Sequence, residues 1–350
     1  MARRLAPHAF SHRAGVRLTG TSITCDAPGS ASDLVFLSHA AALGDPGPRR
    51  TPLHRGGRHQ LLATARTLAL LGRAGEGLRR HALPSPFRRP FVLGPWRVEL
   101  VPSGHLPGAA SLLCEVEGRR VLYAGCVRTG EPGPGAEPAE ALHADAVCVD
   151  GTFGHPRFEL PPVEEALAAV RRFAAEALAA GQAPVLLAAP FGPALEVARA
   201  LAADGIALRG HRAVVGAAAA IRAVGVEVPP VLRFDRKLGA GEALLWPPAA
   251  REAPLLGVLT APRFALVSGL ALDPLVRERA RADAFIPLGD RCGYSQLLAY
   301  LEALGAREVA VSRGFSEELA ADLRRRGLDA YALGPPRQME LPVSAPSSSA

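Results

Sequence analysis

The sequence predicts an α/β protein. Short apolar runs separated by Gly and Pro turns dominate the first 150 residues, a pattern typical of β-strands. From about residue 163 onward, segments with helical apolar spacing alternate with short apolar runs, and this alternation predicts a parallel sheet. Apolar residues make up 49% of the chain and charged residues 21%, so a sizeable core can be buried. The length of 350 residues suits two compact units.

Four strands and one helix are predicted in the first 150 residues. Each strand is an apolar run bounded by turn residues. The predicted strands cover residues 33–38, 96–101, 111–116 and 120–123. A helix is predicted between the first two strands, at 59–71.

The second part of the chain begins with a predicted helix at 163–180, which Gly181 ends. Residues 230–260 are predicted to be irregular, since they contain the Pro-rich run after Trp246. Further strands are predicted at 184–189, 285–288 and 309–312, and further helices at 193–203, 294–304 and 316–326. The Pro- and Ser-rich tail, residues 336–350, is predicted to be disordered.

The net charge, the cysteine content and the absence of long apolar runs exclude several classes of protein. Forty Lys and Arg exceed 33 Asp and Glu, and the net charge of +7 permits an anionic partner without identifying one. The five scattered cysteines include no CxxC pair, which argues against a disulfide framework or a zinc ribbon. The N-terminus has no apolar signal region, and no window approaches the roughly 18 apolar residues of a membrane helix. A cytoplasmic protein without membrane contact is therefore expected.

Small polar residues follow four of the predicted strands. His39 follows the first strand, His105 lies in a Pro-Ser-Gly-His turn, Cys126 follows a Gly, and Asp150 precedes Gly-Thr-Phe-Gly. A glycine just after a buried strand leaves room for a ligand or a neighbouring backbone. One such strand end means little, but four in succession indicate a common rim.

This series of strand ends, in this order, resembles the metallo-β-lactamase fold, and within it the β-CASP branch and the ligase-associated DNA exonuclease family. The family's motifs T/S-H-x-H-x-D-H, P-A-G-H-x-x-G-S-A, G-D and E-S-T-F-G-x-P match residues 38–44, 102–110, 125–126 and 150–156. Its later motifs L-G-K-A-Q-R, H-G-A-V, S-D-H and T-H-G match residues 191–196, 211–214, 289–291 and 312–314. The resemblance covers nearly the whole chain.

The resemblance implies a particular architecture. We expect a four-layer αβ/βα metallo-β-lactamase domain formed by residues 1–165 together with 285–335. An inserted α/β β-CASP domain is expected at 166–284.

The sequence departs from this family mainly at its two-zinc site. Of seven ligands that the resemblance implies, only His39 and His105 are present, and no histidine follows His211. The residues at the substituted ligand positions are Ala41, Leu43, Gly44, Cys126 and Arg313. Arg291 stands where the family has a histidine that contacts the scissile phosphate. Two-metal hydrolysis needs two cations about 3.5–4 Å apart, so this mechanism is predicted to be lost.

Two interpretations of the remaining site stay open. His39, His105 and Cys126 could hold one zinc ion with water as a fourth ligand, although we expect no cofactor and favour a structural role for each. Arg291 and Arg313 could pair with the retained carboxylates or bind a phosphate, and pairing is favoured because unpaired buried carboxylates are costly. The retained carboxylates are Asp26, Asp150 and Asp290.

The favoured function is a non-catalytic homologue of a β-CASP metal-dependent DNA exonuclease or mRNA 3'-end-processing-type nuclease that retains binding to DNA, RNA or a repair partner. The resemblance implies an ATP-dependent DNA ligase and a helicase as partners. The first alternative is an active single-metal hydrolase or nuclease with Asp150 as proton carrier, and the second is a structural partner of an active paralogue. Pro193 and Glu196 replace the family's Lys and Arg, which removes positive charge from the expected nucleic-acid groove. Arg88-Arg89, Arg171-Arg172 and Arg324–Arg326 could attract phosphates, but for the last two runs a solvated face is the favoured interpretation.

Overall fold

Three β-sheets organise the chain in the computed structural model, which describes residues 8–13, 15–27, 32–43, 60–72 and 81–334. Within these ranges the α-helices are α1 (Ala65–Leu70), α2 (Val163–Ala179), α3 (Pro193–Ala203), α4 (Arg212–Ala223), α5 (Pro274–Ala280), α6 (Tyr294–Leu304) and α7 (Ser316–Arg325). None of the described helices is long and apolar enough to cross a bilayer. The protein is thus α/β with mixed sheets, as the sequence predicts at the level of fold class.

Sheet A is built from the N-terminal part of the chain. In sheet order its strands are β1 (Phe10–His12), β2 (Val16–Leu18), β3 (Ile23–Cys25), β4 (Leu34–Phe36), β5 (Gln60–Ala63) and β6 (Ala82–Pro84). The first three strands pair antiparallel, and the pairs from β3 to β6 are parallel.

Sheet B combines the middle and the end of the chain. In sheet order its strands are β19 (Asp329–Leu333), β18 (Glu308–Ser312), β11 (Ala146–Asp150), β10 (Arg119–Gly125), β9 (Ala110–Val116), β8 (Trp96–Pro102) and β7 (Phe91–Leu93). Pairs from β19 to β10 are parallel, and pairs from β10 to β7 are antiparallel.

Sheets A and B face each other across one apolar core. Phe36 and Leu62 from sheet A pack with Leu100, Leu112 and Val121 from sheet B. Alternating inward side chains of two facing sheets form this kind of sandwich core.

Helices cover the outer faces of both sheets. Leu301 of α6 and Leu319 of α7 pack on the outer face of sheet B, against Val309. On the outer face of sheet A, Leu68 of α1 and Ile221 of α4 pack in another cluster. The order of layers is therefore helix, sheet, sheet, helix.

Sheet C is parallel in each of its pairs, as the strand–helix alternation predicts. In sheet order its strands are β14 (Leu232–Arg233), β13 (Ala207–Gly210), β15 (Glu242–Trp246), β12 (Ala183–Ala188), β16 (Pro262–Val267) and β17 (Ala284–Ile286). Val170 of α2 and Val197 of α3 pack with Leu186 and Leu245 on one face. Trp246 and Phe264 lie in the core on the other face.

Two of the predicted segments are wrong. The helix predicted at 59–71 begins in the structure as strand β5, and Thr64 caps the shorter helix α1 by accepting a hydrogen bond from the Thr67 amide at 3.1 Å. The predicted irregular stretch 230–260 contains β14 and the buried central strand β15. Residue 59 and the predicted disordered tail lie outside the described residues.

Candidate functional site

The candidate site is formed where strands of sheets A, B and C end. His39 follows β4, His105 follows β8, Cys126 follows β10, and Asp150 is the last residue of β11. Arg291 follows β17 and approaches the same place from the far side. Because these strand ends meet at one rim, residues distant in sequence become neighbours.

His39, His105 and Cys126 come together as a buried group. One potential ligand atom from each residue lies within 4.8 Å of the others. The two imidazole rings meet edge to face, with centroids 4.6 Å apart. This arrangement could hold a single metal ion with N and S ligands.

The ring nitrogens of the two histidines differ in their partners. Nδ1 of His105 lies 2.7 Å from the backbone oxygen of Asp290. Since a carbonyl only accepts, Nδ1 carries the proton and the neutral ring keeps a lone pair on Nε2. Both ring nitrogens of His39 are buried and have no hydrogen-bond partner within the part of the chain that the structure describes. An unpartnered buried imidazole of this kind can serve as a metal ligand.

The Arg291 guanidinium lies between the carboxylates of Asp150 and Asp290, beside this group. Its Nε and Nη2 donate to the two carboxylate oxygens of Asp290, at 3.0 and 3.2 Å. Its Nη1 lies 3.1 Å from Oδ2 of Asp150 and 3.0 Å from Sγ of Cys126. The side chain is 19% exposed. One cation thus joins two carboxylates and the thiol, as the pairing interpretation expects for Arg291.

The pKa shifts at the site have clear physical causes. Burial alone would raise the pKa of Asp290, but the Arg291 guanidinium holds it below its ordinary value. Burial raises the pKa of the Cys126 thiol well above its ordinary value, and Arg291 offsets only part of this effect. Burial, and then the neighbouring His105, lower the pKa of His39 well below its ordinary value. The group is therefore a protonated thiol with neutral imidazoles.

Gly104 allows the turn that carries His105. Its φ is +76°, and a Cβ atom would lie 2.0 Å from the backbone oxygen of Arg128. The Arg128 amide donates to the Ser103 oxygen at 2.8 Å. Only glycine fits this close approach of two chain segments without strain.

Asp26 and Arg313 line a pocket of about 340 Å³. Asp26 accepts hydrogen bonds from the Ser38 amide at 2.8 Å, the Ser38 hydroxyl at 2.6 Å and the Tyr123 hydroxyl at 2.9 Å. Burial raises the pKa of Asp26 above its ordinary value. Arg313 forms no direct ion pair among the described residues, although its charge acts on Asp26 and opposes the rise in the pKa of that carboxyl group. Direct pairing with the aspartates is seen for Arg291.

Two of the substituted positions lie close to His39 in the structure. Ala41 and Leu43 lie in a short 3-10 helix, Ala40–Leu43, directly after His39. Gly44 lies outside the described residues.

A buried ion pair beside the site is absent from the sequence-based expectations. Nη1 and Nη2 of Arg128 donate to the two carboxylate oxygens of Glu196, at 2.7 and 3.0 Å. The side chains are 5% and 6% exposed. Glu196, which the resemblance places near the expected nucleic-acid groove, is therefore paired with Arg128. The signal available in the sequence was a lone acid within the apolar helix PALEVARALAA.

The three basic runs singled out in the sequence include arginines in ion pairs with nearby acids. Arg88 contacts Glu137 and Glu140, and Arg171 contacts Glu164 at 2.7 Å. In the last run, Arg325 and Arg326 each lie 2.9 Å from Asp322. These contacts agree with the favoured interpretation of solvated faces. The acidic first turn and basic last turn of α7 complement its helix dipole.

Comparison with known proteins gives one informative relative and no matching family model. The chain is 32% identical, over 292 residues, to a protein named "Probable DNA ligase" from Opitutus terrae (strain DSM 11246 / JCM 15787 / PB90-1). The match covers 83% of this chain and 28% of the relative's length. The chain thus corresponds to little more than a quarter of that protein.

Proposed function

We propose that this chain is a non-hydrolytic protein of the metallo-β-lactamase fold, in the β-CASP branch, that acts on DNA together with a DNA ligase. The order of strand-end motifs and the helix–sheet–sheet–helix layers support the fold. In this proposal residues 1–165 and 285–335 form the main domain, and residues 166–284, which hold most of sheet C, form the insert.

The position of Arg291 carries the non-hydrolytic part of the proposal. Its guanidinium sits among Asp150, Asp290 and Cys126, so it supplies in one side chain the positive charge that such carboxylates require. Arginine stays protonated and has no vacant orbital for water. It neutralises the site without creating a nucleophile.

The donor set also argues against a two-metal mechanism. Ala41 offers no ligand atom, and neither do the residues at positions 43 and 44. The group His39, His105 and Cys126 supplies ligands for one ion at most. Binding would also require loss of the Cys126 proton in a place where burial raises the thiol pKa.

The ligase connection comes from the relative's name. A stretch resembling this chain is contained within a longer protein called a probable DNA ligase. We infer that the stretch and the ligation machinery work on the same DNA, and that here the corresponding unit acts as an accessory to a ligase.

Metal content and nuclease activity of the purified chain test this proposal. After incubation with zinc or manganese and removal of the excess, we expect well below one ion per chain and no cleavage of end-labelled DNA. Near-stoichiometric metal together with chelator-sensitive cleavage would refute it. Absence of DNA binding at low salt would instead favour the structural-partner role.

A second candidate, a single-metal hydrolase, is favoured by the unpartnered ring nitrogens of His39. For an ion to bind all three ligands, Arg291 must leave Cys126. The variant R291A should therefore bind cobalt with a cobalt–thiolate absorption band that R291A/C126S lacks. The same band in the unmodified chain, with DNA cleavage that C126S abolishes, would establish this candidate over the first.

A further inference from the structure

An exposed cluster of positive charge lies at one edge of sheet C. It consists of Arg212, Arg233, Arg236 and Lys237, here called the basic edge. All four side chains are exposed, and none forms an ion pair within the described ranges of the chain. In contrast, each of the three arginine runs described above contains at least one arginine in an ion pair with an acid.

Strand pairing brings Arg233 close to Arg212. β13 and β14 are parallel, with Gly210 opposite Arg233, and the Phe234 amide donates to the Gly210 oxygen at 3.0 Å. The carboxyl ends of parallel strands meet at the same edge of a sheet, so Arg233 lies beside the start of α4, where Arg212 is the first residue.

The backbone beneath the basic edge is anchored. Phe234 is 3% exposed and contacts Trp246 edge to face, with ring centroids 6.1 Å apart. Burial of this aromatic ring anchors the chain just after β14, and Arg236 and Lys237 follow Phe234 closely in the sequence. A single exposed acid, Asp235, interrupts the cluster, and the nearby Glu242 is already paired with Arg209 at 3.0 Å.

The basic edge and the Arg291 site share one edge of sheet C. The sheet order is β14-β13-β15-β12, and β12 leads through Gly192 to α3. A Cβ atom on Gly192 would lie 3.5 Å from Cβ of Asp290, so the end of β12 adjoins the site. Three strand spacings separate β12 from β14, about 14 Å, a distance that about four base pairs of B-DNA span.

We propose that the basic edge binds the phosphate backbone of DNA and that the DNA runs along this sheet edge toward the Arg291 site. This inference rests on the proposed DNA-related function and adds where the DNA binds. Unpaired, exposed and clustered cations are the feature that phosphate recognition uses, and such contacts make binding salt-dependent without reading sequence.

The test compares two doubly substituted full-length chains. R233A/K237A removes two charges from the basic edge, and R172A/R279A removes two exposed, unpaired charges from α2 and α5. Binding to a fluorescein-labelled duplex is measured by anisotropy at several salt concentrations. Each lost phosphate contact should lower the slope of log affinity against log salt by about 0.9. Between about 50 and about 200 mM salt, the affinity of R233A/K237A should therefore fall about 12-fold less than that of the unmodified chain.

The outcomes separate this inference from the proposed function. A reduced slope for R233A/K237A with an unchanged slope for R172A/R279A supports the basic edge. Equal slopes for both variants overturn it while leaving the DNA function in place. Failure of the unmodified chain to bind at about 50 mM salt counts against both. Loss of ligase co-sedimentation with unchanged DNA binding would assign the surface to a protein partner and overturn the DNA assignment. Circular dichroism and the thermal midpoint verify that both variants fold.

Discussion

Removing one partner of the buried Arg128–Glu196 pair should destabilise the protein strongly. In E196A, the Arg128 cation stays in a site where its side chain is 5% exposed, and it loses the bonds at 2.7 and 3.0 Å. Of the hydrogen bonds that the Arg128 side chain makes to described residues, only the one from Nε to the backbone oxygen of Glu131, at 2.9 Å, remains. An uncompensated buried charge costs about 3–5 kcal/mol. E196A should therefore lower the free energy of unfolding by about that amount.

The cause can be separated from simple loss of packing. In R128M/E196L both charges are replaced by apolar side chains, and most of the lost stability should return, because buried pairs contribute little net stability over apolar residues. The control E164A breaks the exposed pair with Arg171 and should change stability by about 0–1 kcal/mol. Urea unfolding followed by circular dichroism gives each value. A loss below about 1 kcal/mol for E196A, with an unchanged m-value, would refute the claim that the pair is desolvated.

Three further predictions concern the core, the turn before His105 and acid–base linkage. L245A should cost about 2–5 kcal/mol in urea unfolding because Leu245 is fully buried in the central strand β15, and a cost near zero would contradict that placement. G104A should cost at least about 3 kcal/mol because its Cβ would meet the Arg128 backbone, whereas G118A, with φ +77° and open space, should cost about 1–2 kcal/mol. Burial raises the folded-state pKa of Asp26, so folding binds a proton and wild-type stability falls as the pH rises from about 4 through that pKa. Over this pH range the free energy of unfolding of D26N, measured relative to the wild type by urea unfolding, should rise and then level off. A difference between the two proteins that does not change with pH would contradict the pKa shift.

Local patterns predicted much of the secondary structure. The bounds of α3 and α6 match the sequence prediction, because apolar periodicity and the Pro at the start of α3 are local signals. The helix predicted at 59–71 failed because the apolar run of β5 continues into α1, and only Thr64 marks the boundary. β15 was missed because Gly and Pro residues flank this five-residue strand and resemble the signals of a loop. The segment is a strand because it is buried between β12 and β13 in sheet C.

At the candidate site, too, some features were predicted from the sequence and others depend on tertiary packing. The family resemblance implied that His39, His105 and Cys126 approach one another, and the structure brings them together. The Arg128–Glu196 pair joins residues 68 positions apart through the docking of α3, and no local pattern records that contact.

The geometry of Arg291 explains how such a site can persist with few metal ligands. Two aspartates at the rim repel each other and lose hydration on burial, so each needs a cation or a hydrogen-bond donor. A metal ion supplies this positive charge at a single point, so donor atoms must surround that point. The guanidinium fork meets it with separate nitrogens, two toward Asp290 and one toward Asp150. Because the positive charge is carried by a side chain, residues such as Ala41 need no donor atoms for this arrangement. In the proposed function, the carboxylates and the surrounding turns then contribute to stability and do not take part in activating water.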